Sequence, residues 1–566
     1  MLIIFVLPHI KRDAVPLTSF DFSRATRCNL WNKQFNMDLK ILTLVVWAWS
    51  LAMRRNVSAA RILAVFPTPS YSHQSVFKVY VEALAERGHS IVVIKPKLSQ
   101  LDRDKHAHDN ITVVDATLSE RYLEQLFGES PIYRKRGIIA DSSTVTARNY
   151  MNLAQMISRQ LELPNVKKFI AANSVITGGS TISHSTFDVL ITEAFMDYSL
   201  VLSHLFGNLP VIQISSGHGL AENFETMGAV SRHPIYYPNM WRFKFGDLHL
   251  YELINEIYTE LRLRSEFDLL AQKQSVLMKT QFGADTPDVN QLRNNVQLLF
   301  VNVHPVVDNN RPVPPSVQYL GGLHMHGARI RKLNDYVNEV LDNSTMGLVY
   351  VSFGTSVQAN NIDNEFMDVL LDCFQRLPYN VVWKFDATTT RRLMPSNVYT
   401  QTWFDQYSLL NHKNVKAFVT QGGIQSIDEA IEALVPMVGL PVMGDQAFNV
   451  NRYAELGIMR ALDTATVNAN QLSRTIIDVV TDIKYRNNLR NLRHNIREQI
   501  VNPVHKAVWY TEHVIESKKY NSYLLKTKAA NVNYSDYLMS QLYVPLITIT
   551  IMNYLQQAVR TTFFSY

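Results

Sequence analysis

Cysteine is nearly absent: 566 residues carry only Cys28 and Cys373, which excludes a disulfide-stapled scaffold. Charge is sparse too, with 18% charged residues and a net charge of +6. The short basic run Tyr133-Arg134-Lys135-Arg136 has no aromatic-interleaved stripe beside it, so it reads as solvated loop and not as a nucleic-acid footprint. No Gly-x-Gly-x-x-Gly follows the first apolar strand, which argues against a dinucleotide cofactor there. Metal-ligand spacing is weak as well. Asp102-Arg103-Asp104 falls in a polar loop, and His324 and His326 lack a third ligand nearby in sequence. Residues 537–559 contain no charge, yet Ser540, Gln541, Pro545, Asn553, Gln556 and Gln557 make this stretch a poor bilayer span, and no basic retention tail follows Arg560.

What is present is an ordinary globular composition, 47% apolar, in a chain too long for one core. The first sixty residues stand apart. An export signal opens at Met37, with Lys40 as the positive flank, residues 41–52 as the apolar segment and Ser58-Ala59-Ala60 as the cleavage site. Removing it leaves Cys373 as the one cysteine, in an apolar helical pattern that implies a buried, inert thiol. Sequons at Asn56, Asn110, Asn343 and Asn533 are compatible with export.

From Arg61 the pattern alternates between strand and helix: strands at 62–66, 91–94, 187–192 and 210–215, with a helix at 75–87. This describes a doubly wound parallel α/β domain, whose ligands lie beyond the carboxyl ends of its strands. A second such pattern begins at 348–351, continues at 381–385, and reaches the most informative segment. There a strand at 415–419 turns through Thr420, Gln421, Gly422 and Gly423 into a helix. Paired glycines at a helix start present bare N–H groups to a diphosphate. Glu429, one turn on, can accept both hydroxyls of a ribose. Trp403 can stack on a base with Gln406 bonding near it.

These residues, with Gln425, Ser426, Pro436, Asp445 and Gln446, resemble the signature of the UDP-glycosyltransferase family. Gln421 stands where many cellular relatives have His, and Gln425 where they often have Asn; an amide still donates to phosphate but lends no charge. The resemblance implies the GT-B arrangement, two Rossmann-like domains facing across a cleft. The expected organisation is a leader (1–60), an acceptor-binding domain (61–330), a UDP-sugar-binding domain (331–500), and a crossing helix with tail (501–566). Asn502, Pro503, Lys506, Trp509, Tyr510 and His513 look like the family's closing helix, which returns to the first domain.

The reaction needs a base at the acceptor end. His73 lies in the segment 67–74 after the first strand, and Glu193, at the end of the strand opening with Phe187-Asp188-Val189, can take its far ring N–H. Ser352, Gly354, Thr355 and the helix near Gly422 are expected to meet the phosphates, and Asp445 and Gln446 the sugar hydroxyls. No cofactor or divalent metal is expected, the donor being UDP-glucose or UDP-galactose. Ser215-Ser216-Gly217-His218-Gly219 could line the acceptor mouth or be a plain loop. An ecdysteroid acceptor is implied by likeness to an insect-baculovirus branch of the family, whose products are secreted through the endoplasmic reticulum. Two alternatives stay open: a membrane-associated transferase acting on many lipophilic alcohols, and a non-catalytic UDP-sugar-binding protein.

Overall fold

The computed structural model describes residues 59–98, 108–127, 143–177, 180–181, 186–242, 248–355, 362–520 and 523–563. Residues 37–58 of the expected signal segment, the 102–104 pair and the 133–136 run lie outside them; Ala59 and Ala60 of the expected cleavage site lie inside, Ala60 buried.

The first half holds β1 (Arg61–Val65), β2 (Ser90–Lys95), β3 (Ile111–Asp115), a two-residue hairpin of β4 (Ile176–Thr177) and β5 (Ser180–Thr181), then β6 (Val189–Glu193), β7 (Val211–Ser215), β8 (Val296–Val301) and β9 (Val317–Tyr319). Seven of these form one parallel sheet in the order β3-β2-β1-β6-β7-β8-β9. The second half holds β10 (Leu348–Ser352), β11 (Asn380–Lys384), β12 (Val398–Gln401), β13 (Val415–Thr420), β14 (Met437–Gly439) and β15 (Met459–Ala461), parallel in the order β12-β11-β10-β13-β14-β15. Every residue of β6 and of β10 is buried, which is why both read as apolar runs without alternation: helices cover each sheet on both faces.

Strand order reverses between β1 and β6 in one sheet and between β10 and β13 in the other. At such a switch point adjacent loops leave in opposite directions and open a crevice at the strand ends. His73 follows β1 and Glu193 ends β6, while Ser352 ends β10 and Gln421 follows β13.

One boundary differs from expectation. The first helix spans Tyr71–Glu86, four residues earlier than the apolar period suggests, so His73 sits on its first turn and not on a loop. Ser70, extended at φ −120° and ψ 128°, is the last residue outside. The 33-residue helix Leu250–Phe282 went unread in the sequence. Leu263, Phe267, Leu270, Ala271 and Met278 bury one face of it, while Leu250, Ile254 and Tyr258 are exposed.

The returning helix Pro503–Lys519 starts with Asn502 accepting from Val504 N at 2.9 Å and Pro503 in its first turn. Its Val504, Ala507, Val508, Val514 and Ile515 join the core around Val76, Phe77, Tyr80 and Leu84. Cys373 lies buried in the helix Asn364–Gln375, its thiol pushed up to about 12 by burial with Asp372 adding to it. The tail forms a helix, Ser540–Phe563, with Pro545 inside it. Among the described residues no helix is long and apolar enough to cross a membrane.

Candidate active site

The two switch points face each other across a cleft of about 900 Å³. On its first-domain side, His73 Nδ1–H donates to Glu193 Oε1 at 2.5 Å, and Thr68 N–H donates to Glu193 Oε2 at 3.3 Å. The carboxylate is buried and held on both oxygens, so it fixes the ring with Nε2 left for the cleft. Burial pushes the imidazole pKa down. The charge and hydrogen bond of Glu193, joined by Asp445 from the opposite domain, outweigh that and hold it above the ordinary histidine value. Leu153, Phe195, Met240 and Trp241 line an apolar wall beside it.

On the other side, Ser352 accepts from Gly354 N–H at 3.3 Å through its hydroxyl oxygen, and the same hydroxyl bonds toward the Tyr350 phenol. Gly354 has φ +72°, a conformation that strains any other residue, and a Cβ there would also displace the Gln421 amide, whose Nε2 would lie 2.1 Å away. Gln421 is 6% exposed and its Oε1 has no partner. A buried unpaired amide at a helix start marks a place for a bound group, and the amide turned about its last bond offers N–H to an anion there. The helix Ile424–Ala433 starts at that point with Gly423 as its cap.

Trp403 is 39% exposed. Its ring carries the Lys384 ammonium 4.9 Å from the centroid and meets the edge of Tyr71, also at 4.9 Å. Lys384 donates to Gly354 O at 2.7 Å, and burial lowers its ammonium pKa to about 8. Glu429 is pushed up to about 7 by desolvation, opposed by a hydrogen bond from Gln406 and aided by the like charge of Asp405.

Three expected site residues have different tasks from those foreseen. Gln406 is committed inside the domain: its Nε2 donates to Ser426 Oγ at 2.9 Å and Glu429 Oε2 at 2.6 Å, and its Oε1 accepts from Tyr350 at 3.2 Å. It therefore orients Glu429 and leaves no hydrogen for a base. Gln425 reaches across the cleft to donate to Ser216 O at 2.8 Å. Gly422, with φ +91°, lies beneath the lining against Val450. Gln406 and Gln425 still line the cleft, together with Ser352, Gly354, Thr355, Trp403, Gln421, Gly423, Ser426, Glu429, Asp445, Gln446, His73 and Glu193.

Gln446 Oε1 accepts from Val442 and Met443 N–H at 3.0 and 2.9 Å, so only its Nε2 remains for a ligand. Asp445 Oδ2 accepts from Asn449, whose Oδ1 in turn meets His218 Nε2 of the first domain at 2.8 Å. The 215–219 loop is thus part of the seam between domains. Among the described residues no three His, Cys, Asp or Glu side chains gather as a metal site.

His218 belongs to the 215–219 segment considered for the acceptor mouth, whereas no role was foreseen for Lys384, Tyr71 or Asn449. Only Lys384 had a readable signal, a cation ending an apolar strand at the ligand-bearing edge of a parallel sheet.

Known proteins resemble this chain over most of its length. A solved glycotransferase of kitacinnamycin shares the fold at TM-score 0.51 and 17% identity, over 81% of this chain and 99% of its own. The ecdysteroid UDP-glucosyltransferase of Mamestra brassicae nuclear polyhedrosis virus is 54% identical, covering 90% of this chain and 95% of the relative. That of Lymantria dispar multicapsid nuclear polyhedrosis virus is 50% identical over 93% and 99%. Dactylopius coccus UDP-glucosyltransferase 2 is 25% identical over 89% and 92%. Residues 61–551 match the model of the UDP-glucoronosyl and UDP-glucosyl transferase family, spanning both switch points and the returning helix, and the chain belongs to that family as a GT-B UDP-glycosyltransferase.

Proposed function

We propose that this enzyme transfers a hexose from a UDP-sugar to a hydroxyl of an ecdysteroid, with inversion at the anomeric carbon. The observation that carries the chemistry is the His73–Glu193 pair at one switch point, facing the Trp403, Glu429 and Gln421 set at the other within one cleft. His73 Nε2 takes the acceptor proton as the alcohol oxygen attacks the anomeric carbon, and the bond to UDP breaks on the opposite face. Charge growing on the diphosphate meets Ser352, Thr355, the amides at Gly423 and the Lys384 ammonium. These donors suit a metal-free departure, so activity is expected to survive EDTA. Asp445 and the Nε2 of Gln446 hold sugar hydroxyls and accommodate either epimer. The names of the viral relatives support glucose and an ecdysteroid.

We further propose a secreted glycoprotein, cleaved after Ala60. Asn343 and Asn533 are exposed and open to modification. Asn110 is not favoured, since its amide donates to Ala85 O and His89 O at 2.9 and 2.7 Å.

The test is turnover of ecdysone with UDP-glucose and UDP-galactose, read by conjugate mass and by the anomeric proton coupling. A β-glucoside is expected. An α-linked product, or UDP binding with no turnover, overturns the reading.

A further inference from the structure

We propose that Tyr71 is a positioning residue that couples occupancy of the nucleoside subsite to the setting of His73. The inference rests on the sugar-transfer reading above. Tyr71 opens the helix Tyr71–Glu86 of the first domain, yet its ring packs edge-on against Trp403 of the second, with centroids 4.9 Å apart and planes at 71°. The phenol stands near Glu429 and Asp405, the carboxylates of the ribose end, and burial together with their charge keeps it protonated. Tyr71 therefore lies where a nucleoside stacked on Trp403 and bonded to Glu429 must touch it.

His73 is two residues further along the same first turn. Side chains at that spacing do not meet on a helix, so a shift of Tyr71 reaches His73 through the backbone. Ser70 makes no side-chain cap bond; its hydroxyl pairs with Ser72 at 3.0 Å and its carbonyl accepts from Gln74 N–H at 3.0 Å, so the first turn moves as a unit. The firmer anchor lies just beyond, where Gln74 Nε2 donates to Phe66 O and Thr68 O at 2.8 and 2.9 Å. Donor binding accordingly sets the turn that carries the base.

A double-mutant cycle of Tyr71→Ala and Trp403→Ala tests this, with donor KM, kcat and the pH profile measured for each form. Tyr71→Ala is expected to raise the donor KM about fivefold, the size an aromatic pair supports, and to lower the acid limb of the profile as the His73–Glu193 contact loosens. On the Trp403→Ala background it should add less than twofold, and Tyr71→Phe should bring KM and the profile back to within twofold. Losses that multiply across the cycle, or a pH profile unmoved by Tyr71→Ala, overturn the coupling. If Tyr71→Ala does not fold, Tyr71→Leu takes its place with the same expectations. Wild-type protein that binds no UDP removes the sugar-transfer reading itself, whereas intact wild-type binding and turnover with multiplying losses removes only the role of Tyr71.

Discussion

A histidine 2.5 Å from a buried carboxylate titrates as part of a pair. A general base works when neutral, and the pKa of His73 is raised, so the rate should fall with falling pH through a point above the ordinary imidazole value of about 6.5. Glu193→Gln removes the charge and leaves the burial, moving that limb below about 6.5. His73→Ala should cost about 10²–10⁴ in kcat while the Kd for UDP changes less than threefold, checked by calorimetry on the same protein. Glu429 gives a second pH dependence. Its carboxyl is protonated below about 7 in the free enzyme, and ribose hydroxyls need the carboxylate as acceptor. UDP affinity should therefore weaken about tenfold per pH unit below that point, since one proton must leave for binding. Glu429→Gln should flatten the slope, as a titration of UDP between pH 5.5 and 8 would show. Trp403, Glu429 and His73 were readable because each is a chemically distinctive residue in a segment flanking an apolar strand. The pairing of His218 with Asn449 was not, since it joins residues 231 positions apart.

Each half of the cleft rests on a strand running into a tight turn and then a helix. Gly422 shows how closely these pieces fit. A Cβ there would lie 2.4 Å from Val450 Cγ2 and 3.1 Å from Gln446 O, and φ is +91°. Gly422→Ala should destabilise by about 1–3 kcal/mol and lower the melting temperature by several degrees. Because the helix carrying Gln446 must yield, the donor KM should rise as well, with little change in acceptor KM. Both can be read from a thermal melt and steady-state kinetics. The sequence disclosed this turn because glycines, an apolar strand and a polar helix start are local signals. It misplaced the start of the helix Tyr71–Glu86, since the first turn, Tyr71-Ser72-His73-Gln74, is polar or half-buried and its face toward the cleft carries no apolar period.

At the scale of the molecule, two alternating strand-and-helix patterns were enough to give two parallel α/β halves, because only covered sheets use strands apolar on both faces. Strand order was not readable: it depends on pairings such as β1 with β6, between residues 61–65 and 189–193. The C-terminal region divides by what it touches. Asn531 donates to Asn290 O and Asn294 Oδ1 at 2.8 and 2.7 Å, and Arg264 donates to Asn533 at 3.2 Å, so the chain is strapped to the first domain as far as residue 533. Beyond that point the large apolar side chains of the tail, among them Leu542, Ile547, Ile551 and Leu555, are exposed. Ending the chain after Asn533 should leave the melting temperature within about 2 °C, since surface changes of this kind alter stability by about 0.5 kcal/mol or less. Ending it after Val501 is a different matter. Val504, Val508, Val514 and Ile515 are buried, each worth about 1.5–3 kcal/mol, and Arg87 and His89 lose Glu512. That sum rivals the whole net stability of a domain, about 5–15 kcal/mol. The shorter chain should lose its cooperative melt and become protease-sensitive in the first domain, with cleavage concentrated between β1 and β3.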